Sequence, residues 1–395
     1  MIVAERHVEG GDLQKFGVKH LISPDQIRRI RQNDRRSRKL PVKGSNPARV
    51  VFGSGTIKQL PDEVKRLGLK KPLVLSTPEQ TSQADLVESI LKSAGVDCAG
   101  QFNNATMHTP VEVTEKALAI VNERKVDGTI AIGGGSTIGL GKAIALRTDM
   151  PQIVIPTTYA GSEMTPIIGQ TENGVKTTQS TPKVLPEVVI YDVDFTLTLP
   201  QGLSATSGIN AIAHAVEALY AQNANPVIEL MAEEAVRALA RSLPIIMENK
   251  EDTEARSDAL YGAWLCSACL GSTNMSVHHK LCHVLGGTFN LPHADTHTIV
   301  LPHALAYNAP SAPEAMKKLA RALDNEDPVE GLNVLLTKLK VKRGLKEVGM
   351  PEDGIDKAAD LAFKNKYWNP RPIDRDAIRE VIRRAWAGEP ARADI

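Results

Sequence analysis

The sequence predicts a two-part molecule, an α/β half built on a parallel sheet followed by an all-α half, with the boundary near Pro200. Three observations lead there. Between Ala48 and about Asp194, β-rich runs alternate with segments of helical spacing, the rhythm of a parallel sheet covered by helices on both faces. A triple glycine, Gly133-Gly134-Gly135, stands where one such run hands over to a helix. Beyond Leu199 the periodic segments have helical spacing and none reads as a strand.

In chain order, Arg49–Phe52 is β-rich and Ile57–Leu67 is helical. Leu73–Leu75 reads as a strand, Ala84–Ala94 as a helix and Val96–Phe102 as a further strand. Val111–Glu123 carries apolar residues at helical spacing. Gly128–Ile132 is a short buried strand, Thr137–Leu146 a helix and Gln152–Ile155 the next strand. Ile167–Thr171 and Val175–Thr178 flank Glu172-Asn173-Gly174, where Asn-Gly predicts a tight type I′ hairpin. Val188–Tyr191 closes the sheet. The helical half comprises Leu203–Tyr220, Glu229–Arg241, Asp258–Leu270, Asn274–Leu285, Pro313–Leu323, Pro328–Leu339 and Asp374–Ala387.

The domains follow: a basic N-terminal extension over 1–43, an α/β domain over 44–199 and a helical domain over 200–395. The extension holds eight Lys and Arg between Arg28 and Lys43 against the single acid Asp34. Ser23-Pro24-Asp25-Gln26 has the pattern of a helix start, so a short basic helix runs to about Ser37, read either as a polyanion-binding arm or as a solvated or packing tail.

Composition excludes several classes. Forty-seven Lys and Arg against 46 Asp and Glu give a net charge of +1, so the whole chain is no nucleic-acid or membrane-surface binder. No apolar run approaches the ~20 residues that span a bilayer. Four cysteines in 395 residues make no disulfide scaffold, which points to a reducing, cytoplasmic setting. Cys266-Ser267-Ala268-Cys269 is a lone CxxC inside an apolar helical run and reads as buried small residues.

Two constellations carry chemistry. Gly133-Gly134-Gly135-Ser136 sits at a strand-to-helix turn, where close backbone approach and the N–H groups of a helix start suit a phosphate or pyrophosphate; a tight βα turn is the alternative. It is neither a Walker A loop, since position 143 is Ala, nor a GxGxxG fingerprint, since position 138 is Ile. The second is histidine crowding. Six of the ten histidines fall between 278 and 303: His278, His279, His283, His293, His297 and His303. His279 and His283 share one helix face, Gly286-Gly287 is read as that helix's end, and the loop Asn290–His293 folds back. His214 joins from another helix. Such imidazoles suit acid–base work or a divalent ion.

These motifs, together with Pro156-Thr157-Thr158-Tyr159-Ala160-Gly161-Ser162-Glu163 and Gly208-Ile209-Asn210-Ala211-Ile212-Ala213-His214, resemble the iron-containing (group III) alcohol dehydrogenases over roughly residues 48–390. Within that family, the segments 133–146, 157–179 and 272–293 are most similar to the maleylacetate reductases. The resemblance implies a Rossmann-like domain and a helical domain in a dehydroquinate synthase-like plan, with the site between them. It implies NADH or NADPH, held by Gly134, Gly135 and Ser136 at the pyrophosphate, Thr157 and Thr158 at the nucleotide, and Gly53 and Ser76 near the adenosine. The corner Ser76-Thr77-Pro78 is neutral, which leaves NADPH open beside NADH. Metal-dependent relatives use one Asp and three His. Here those positions are Asn210, His214, His279 and His293, and the acid of the glycine motif is replaced by Gly139. Both departures are shared by maleylacetate reductases and weaken the case for a metal.

The implied reaction is reduction of maleylacetate to 3-oxoadipate in aromatic catabolism. Hydride reaches the alkene carbon β to the ketone, an enolate forms, and a proton completes the step. His279, His283 and His293, with His214 behind them, are the candidates to stabilise the enolate and supply that proton. Tyr159, Lys142, Lys176 and Lys280 are candidate contacts for the dicarboxylate. A homodimer is the implied assembly. Three other readings compete: a metal-dependent alcohol dehydrogenase, a sugar-phosphate cyclase and a nucleic-acid-associated module.

Overall fold

A computed structural model describes residues 48–172, 174–364 and 367–394. The basic extension 1–43 and its expected helix lie outside them.

The α/β half contains β1 (Arg49–Gly53), α1 (Leu60–Arg66), β2 (Leu73–Leu75), α2 (Thr81–Ser93), β3 (Gln101–Phe102), α3 (Val111–Arg124), β4 (Thr129–Gly133), α4 (Gly135–Thr148), β5 (Gln152–Pro156), β6 (Ile167–Glu172), β7 (Val175–Ser180) and β8 (Val188–Asp192). Six strands pair in parallel in the order β1-β8-β5-β4-β2-β3. Their central members, β2, β4, β5 and β8, are buried along their whole length, which explains why they read as unbroken apolar runs. β6 and β7 form the expected hairpin, paired from Ile167↔Ser180 to Glu172↔Val175, with Gly174 at φ 76° in the turn.

The expected strand Val96–Phe102 is mostly absent. Its first part turns back on α2, with Val96 N donating to Leu91 O at 3.0 Å, and only Gln101–Phe102 pairs with β2.

The helical half contains α5 (Gln201–Leu219), α6 (Pro226–Glu248), α7 (Thr253–Ser272), α8 (Val277–Phe289), α9 (His293–Asn308), α10 (Pro313–Leu323), α11 (Pro328–Lys338), α12 (Gly354–Lys364) and α13 (Arg375–Ala387). Its starts are marked by side chains the chain supplies locally. Asn225 Oδ1 accepts from Val227 N and Ile228 N, Asp252 from Ala255 N, and Asp374 from Ala377 N.

Two helices were not expected. α9 replaces what reads as loop: Thr296 to Asn308 are buried on every side, so no polar face marks the helical period. α12 is short and also escaped the pattern. α8 runs through Gly286-Gly287 and stops instead at Asn290, which takes the left-handed conformation at φ 51°. Packing holds the two glycines in the helix against a propensity cost of ~1 kcal/mol each.

The two halves share one core. Tyr159, Val189 and Tyr191 of the first half pack with Ile209, Ile212, Val216, Leu239 and Ala263 of the second. No described helix is long and apolar enough to cross a membrane.

Candidate active site

The strand order reverses between β2 and β4: β2 leads outward to β3, while β4 leads to β5 and β8. A crevice opens there at the carboxyl ends of the strands, where open α/β sheets bind ligands. Gly133 ends β4 at φ 152°, and a Cβ on it would lie 2.4 Å from Thr137 Oγ1 and 2.7 Å from Gln80 Oε1. Gly134 caps α4, and a Cβ there would meet Thr158 Cγ2 at 2.9 Å. Gly135 is exposed, with nothing within 4 Å of its Cβ position, and Ser136 is half-buried. The first turn of α4 thus presents backbone N–H groups at an open surface, the geometry for a phosphate.

The loop after β5 completes the crevice. Thr157 N donates to Gly133 O at 3.1 Å, and Gln80 Nε2 donates to Thr157 Oγ1 at 2.8 Å. Thr158 Oγ1 is buried without a protein partner among the described residues. Gly53 ends β1 on the same edge, and Asp192 clamps the turn beyond it by accepting from Gly55 N at 3.0 Å and Ile57 N at 2.7 Å.

Ser76 is placed differently. Its hydroxyl is buried and donates inward to Asn103 Oδ1 at 2.9 Å, because the strand end packs it under β3's continuation. Glu79, the residue after the neutral Ser76-Thr77-Pro78, is exposed and brings an acid next to that corner. A hydrogen bond from its own backbone N–H, then one from Thr77, holds the Glu79 carboxyl below its ordinary value.

The histidines assemble from three helices. α5 carries Asn210, His214 and Glu217 on one face; α8 carries His278, His279 and His283; α9 carries His293 and His297. The His279 ring lies 5.1 Å from His214, 5.1 Å from His297 and 6.4 Å from His283, and His293 lies 4.2 Å from His297. His214, His278, His279 and His297 form a buried floor, while His283 and His293 are exposed at the rim. Burial, reinforced by the neighbouring imidazoles, pushes His278 down to about 4 and His279 down to about 3. The same causes hold His214 and His297 well below their ordinary value. These four imidazoles are therefore held in their uncharged form.

Two members of this cluster were missed or undervalued in the sequence. Glu217 is fully buried, and its Oε2 lies 2.8 Å from His279 Nδ1. Its signal was present: it follows His214 by three residues on the same helix. His297 stands between His278, His279 and His293, on the helix that the sequence hid.

The loop between the two constellations joins them. It starts at Thr157 in the crevice and passes Gly161, where φ is 90° and a Cβ would sit 3.2 Å from His214 Nδ1. A side chain there would fill the space in front of the imidazole.

Three expected substrate contacts lie elsewhere. Lys142 is fully buried; its Nζ donates to Ser162 O, Thr165 O, Thr165 Oγ1 and Ile167 O at 2.5–2.9 Å. It ties α4 to the loop before β6, and burial lowers it to about 7. Tyr159 is also fully buried, with Arg256 Nη1 3.3 Å from its hydroxyl, facing the core. Lys280 holds its ammonium 5.8 Å from the centre of the Tyr367 ring. The side chain of Lys176 lies outside the described ones.

A divalent ion would need donors at the implied positions, where Asn210 Oδ1, His214 Nδ1 and His279 Nε2 are buried without a protein partner among the described residues. Among the described residues, the set of three such side chains with ligand atoms all within 4.8 Å of one another is His278, His279 and His297, not His214, His279 and His293. Within that set, His278 Nε2 is 3.1 Å from His297 O and its Nδ1 is 3.3 Å from His279 Nδ1, which also meets Glu217. Asn210 is a neutral amide whose Nδ2 is turned to Ala160 O at 3.5 Å. At Gly139, where metal-dependent relatives carry an acid, a Cβ would lie 2.3 Å from Thr109 Oγ1. With Asn210 in place of the acid, the implied positions offer only neutral donors, a weaker set for a divalent ion.

A family model for the iron-containing alcohol dehydrogenases matches residues 47–193, and one for the C-terminal part of the Fe-containing alcohol dehydrogenase family matches 204–386. The chain is 53% identical to maleylacetate reductase of Sphingobium indicum over 344 residues, 87% of this chain and 97% of the relative. It is 52% identical to maleylacetate reductase of Rhizobium sp., over 87% of this chain and 96% of the relative. The crystal structure of maleylacetate reductase from Agrobacterium tumefaciens superposes with a TM-score of 0.86 at 49% identity, covering 90% of this chain and all of that one. A 1,3-propanediol oxidoreductase structure superposes with a TM-score of 0.83 at 25% identity, covering 88% of this chain and all of that one. Both halves of the molecule are thus matched, and the protein belongs to the iron-containing alcohol dehydrogenase family, within its maleylacetate reductase group.

Proposed function

We propose that this protein reduces maleylacetate to 3-oxoadipate with NADH or NADPH, and does so without a resident metal. One observation carries the reading: a single loop, Thr157–Thr165, borders the phosphate-type crevice at one end and packs Gly161 against His214 at the other. A dinucleotide on the first turn of α4 therefore has its far end directed toward the imidazole cluster.

The bound nicotinamide supplies a hydride to the alkene carbon β to the ketone. The protein's part is to hold the dianion, stabilise the enolate and deliver one proton to the carbon α to the ketone. In this reading His283 and His293, exposed at the rim, meet the carboxylates. In the same reading the buried His214, His279 and His297 meet the enolate oxygen. Entry of a dianion raises the proton affinity of imidazoles that burial has lowered, so the cluster gains its proton when the substrate is present. Water-excluded imidazolium donors then do what a Lewis acid would do in the metal-dependent relatives.

The departures at Asn210 and Gly139 support the metal-free reading. The family resemblance and the sparse cysteines support a homodimer in the cytoplasm, which light scattering checks against twice the chain mass of 42.7 kDa. The test of function is oxidation of NADH and NADPH with maleylacetate, using chelator-treated protein assayed for residual metal. Rapid oxidation is expected. Activity that returns only with Fe²⁺ or Zn²⁺ would restore the metal mechanism. Inactivity under both conditions would reject the substrate.

A further inference from the structure

Glu217 sits on α5 one turn beyond His214, and its side chain is fully buried. A buried carboxylate is costly unless every oxygen is satisfied. Here four groups at the start of α8 satisfy it. Ser276 N and His279 Nδ1 each lie 2.8 Å from Oε2; Ser276 Oγ lies 2.9 Å and His278 N 2.8 Å from Oε1. Two of these are backbone N–H groups at a helix N-terminus, which favours negative charge. Backbone N–H can only donate, and a carboxylate can only accept. The Oε2 contact therefore requires the proton of His279 on Nδ1.

That requirement fixes the other nitrogen. His279 Nε2 is buried with no protein partner among the described residues, and the His214 ring lies 5.1 Å away. We propose that Glu217 is the positioning residue of the reductase: it holds His279 in the tautomer whose Nε2 opens on the imidazole cluster. The inference rests on the reductase reading for its chemistry but not for its geometry. Carboxylate–imidazole pairs of this kind orient rings at metal sites, where loss of the carboxylate costs ~10–100-fold. Here the pair serves a cluster that reads as metal-free.

The experiment has two arms. In wild-type protein labelled with ¹⁵N, long-range ¹H–¹⁵N spectra report the tautomer of His279, assigned by loss of its signals in His279→Gln. Protonated Nδ1 and bare Nε2 are expected; the reverse pattern overturns the proposal. In the kinetic arm, Glu217→Gln lowers kcat by ~10–100-fold while KM for NADH stays within about twofold, and Glu217→Asp recovers part of the loss. Adding Glu217→Gln to His279→Gln costs nothing further, because the first residue acts through the second. Independent losses that multiply, or an unchanged kcat in Glu217→Gln, overturn the proposal. If Glu217→Gln does not fold, the wild-type spectrum still decides. Absence of wild-type turnover with maleylacetate would instead count against the reductase reading and leave the tautomer result standing.

Discussion

Gln80 Nε2 donates to Thr157 Oγ1 at 2.8 Å, and so joins the corner after β2 to the loop after β5 across the end of β4. The two residues close the crevice in which Gly135 lies open to solvent. Because a Cβ on Gly135 meets nothing within 4 Å, Gly135→Ala is expected to leave the melting temperature unchanged. It places a methyl group where the pyrophosphate is proposed to sit. KM for NADH should rise by about tenfold, or ~1.4 kcal/mol of binding. Steady-state kinetics beside a thermal melt check this, and an unchanged KM would move the phosphate elsewhere.

Lys142 is expected to matter for folding and not for substrate. Replacing it by Met removes the buried donor from Thr165 O and Ile167 O, while Ser162 O keeps those of Thr165. Such losses cost roughly 1–3 kcal/mol for each unsatisfied buried group. The melting temperature of Lys142→Met should fall, while KM for maleylacetate in the folded fraction stays within about twofold. A raised KM with an unchanged melt would return Lys142 to the substrate site.

His303 predicts part of the acid sensitivity. It is buried on α9, and burial, with Arg343 and Arg384 nearby and Glu389 opposing them, pushes it from 6.5 down to about 3. Between those values the unfolded chain binds a proton that the folded chain refuses, so stability falls as pH falls through this window. His303→Gln should flatten the pH dependence of unfolding free energy by about one proton, ~1.4 kcal/mol per pH unit. Urea titrations at several pH values inside the window measure it. The other buried histidines keep a residual slope in the variant, and equal slopes in both proteins would show that His303 titrates normally.

Gly139→Asp asks whether this chain can accept the acid of its metal-dependent relatives. The new Cβ would lie 2.3 Å from Thr109 Oγ1, and Thr109 is itself held at φ 47° with its carbonyl accepting from Thr171 N. The expected result is a loss of ~1–3 kcal/mol from overpacking and no metal-stimulated turnover. Differential scanning calorimetry and an assay with added Fe²⁺ or Zn²⁺ check both parts; a stable variant with metal-dependent activity would contradict them.

The glycine turn between β4 and α4 was legible in the sequence. Gly133-Gly134-Gly135-Ser136 lies within seven residues of two apolar runs, and the turn between a parallel strand and its helix is a local structure. Ser76 was misread because the direction of a hydroxyl depends on Asn103, on another strand end. Lys142 and Tyr159 were misread for a related reason. A lysine or tyrosine near a site motif looks functional in sequence, and only burial shows that both face the core. Of the histidines, the count and the i,i+4 pair His279/His283 were visible, but the division into a buried floor and an exposed rim was not.

By itself, the sequence determined most of the strands and helices in their order, the glycine turn, the family and the absence of an acid at positions 139 and 210. These follow from short-range spacing, from backbone constraints and from residue identity, all of which one chain displays locally. Only the tertiary structure decided that α9 exists as a helix, that His297 stands among the other imidazoles, and that Glu217 reaches His279 across 62 residues. The reason is physical. A helix buried on all sides has no polar stripe to announce it, and a contact between α5 and α8 is set by how two helices pack and not by anything either segment specifies alone.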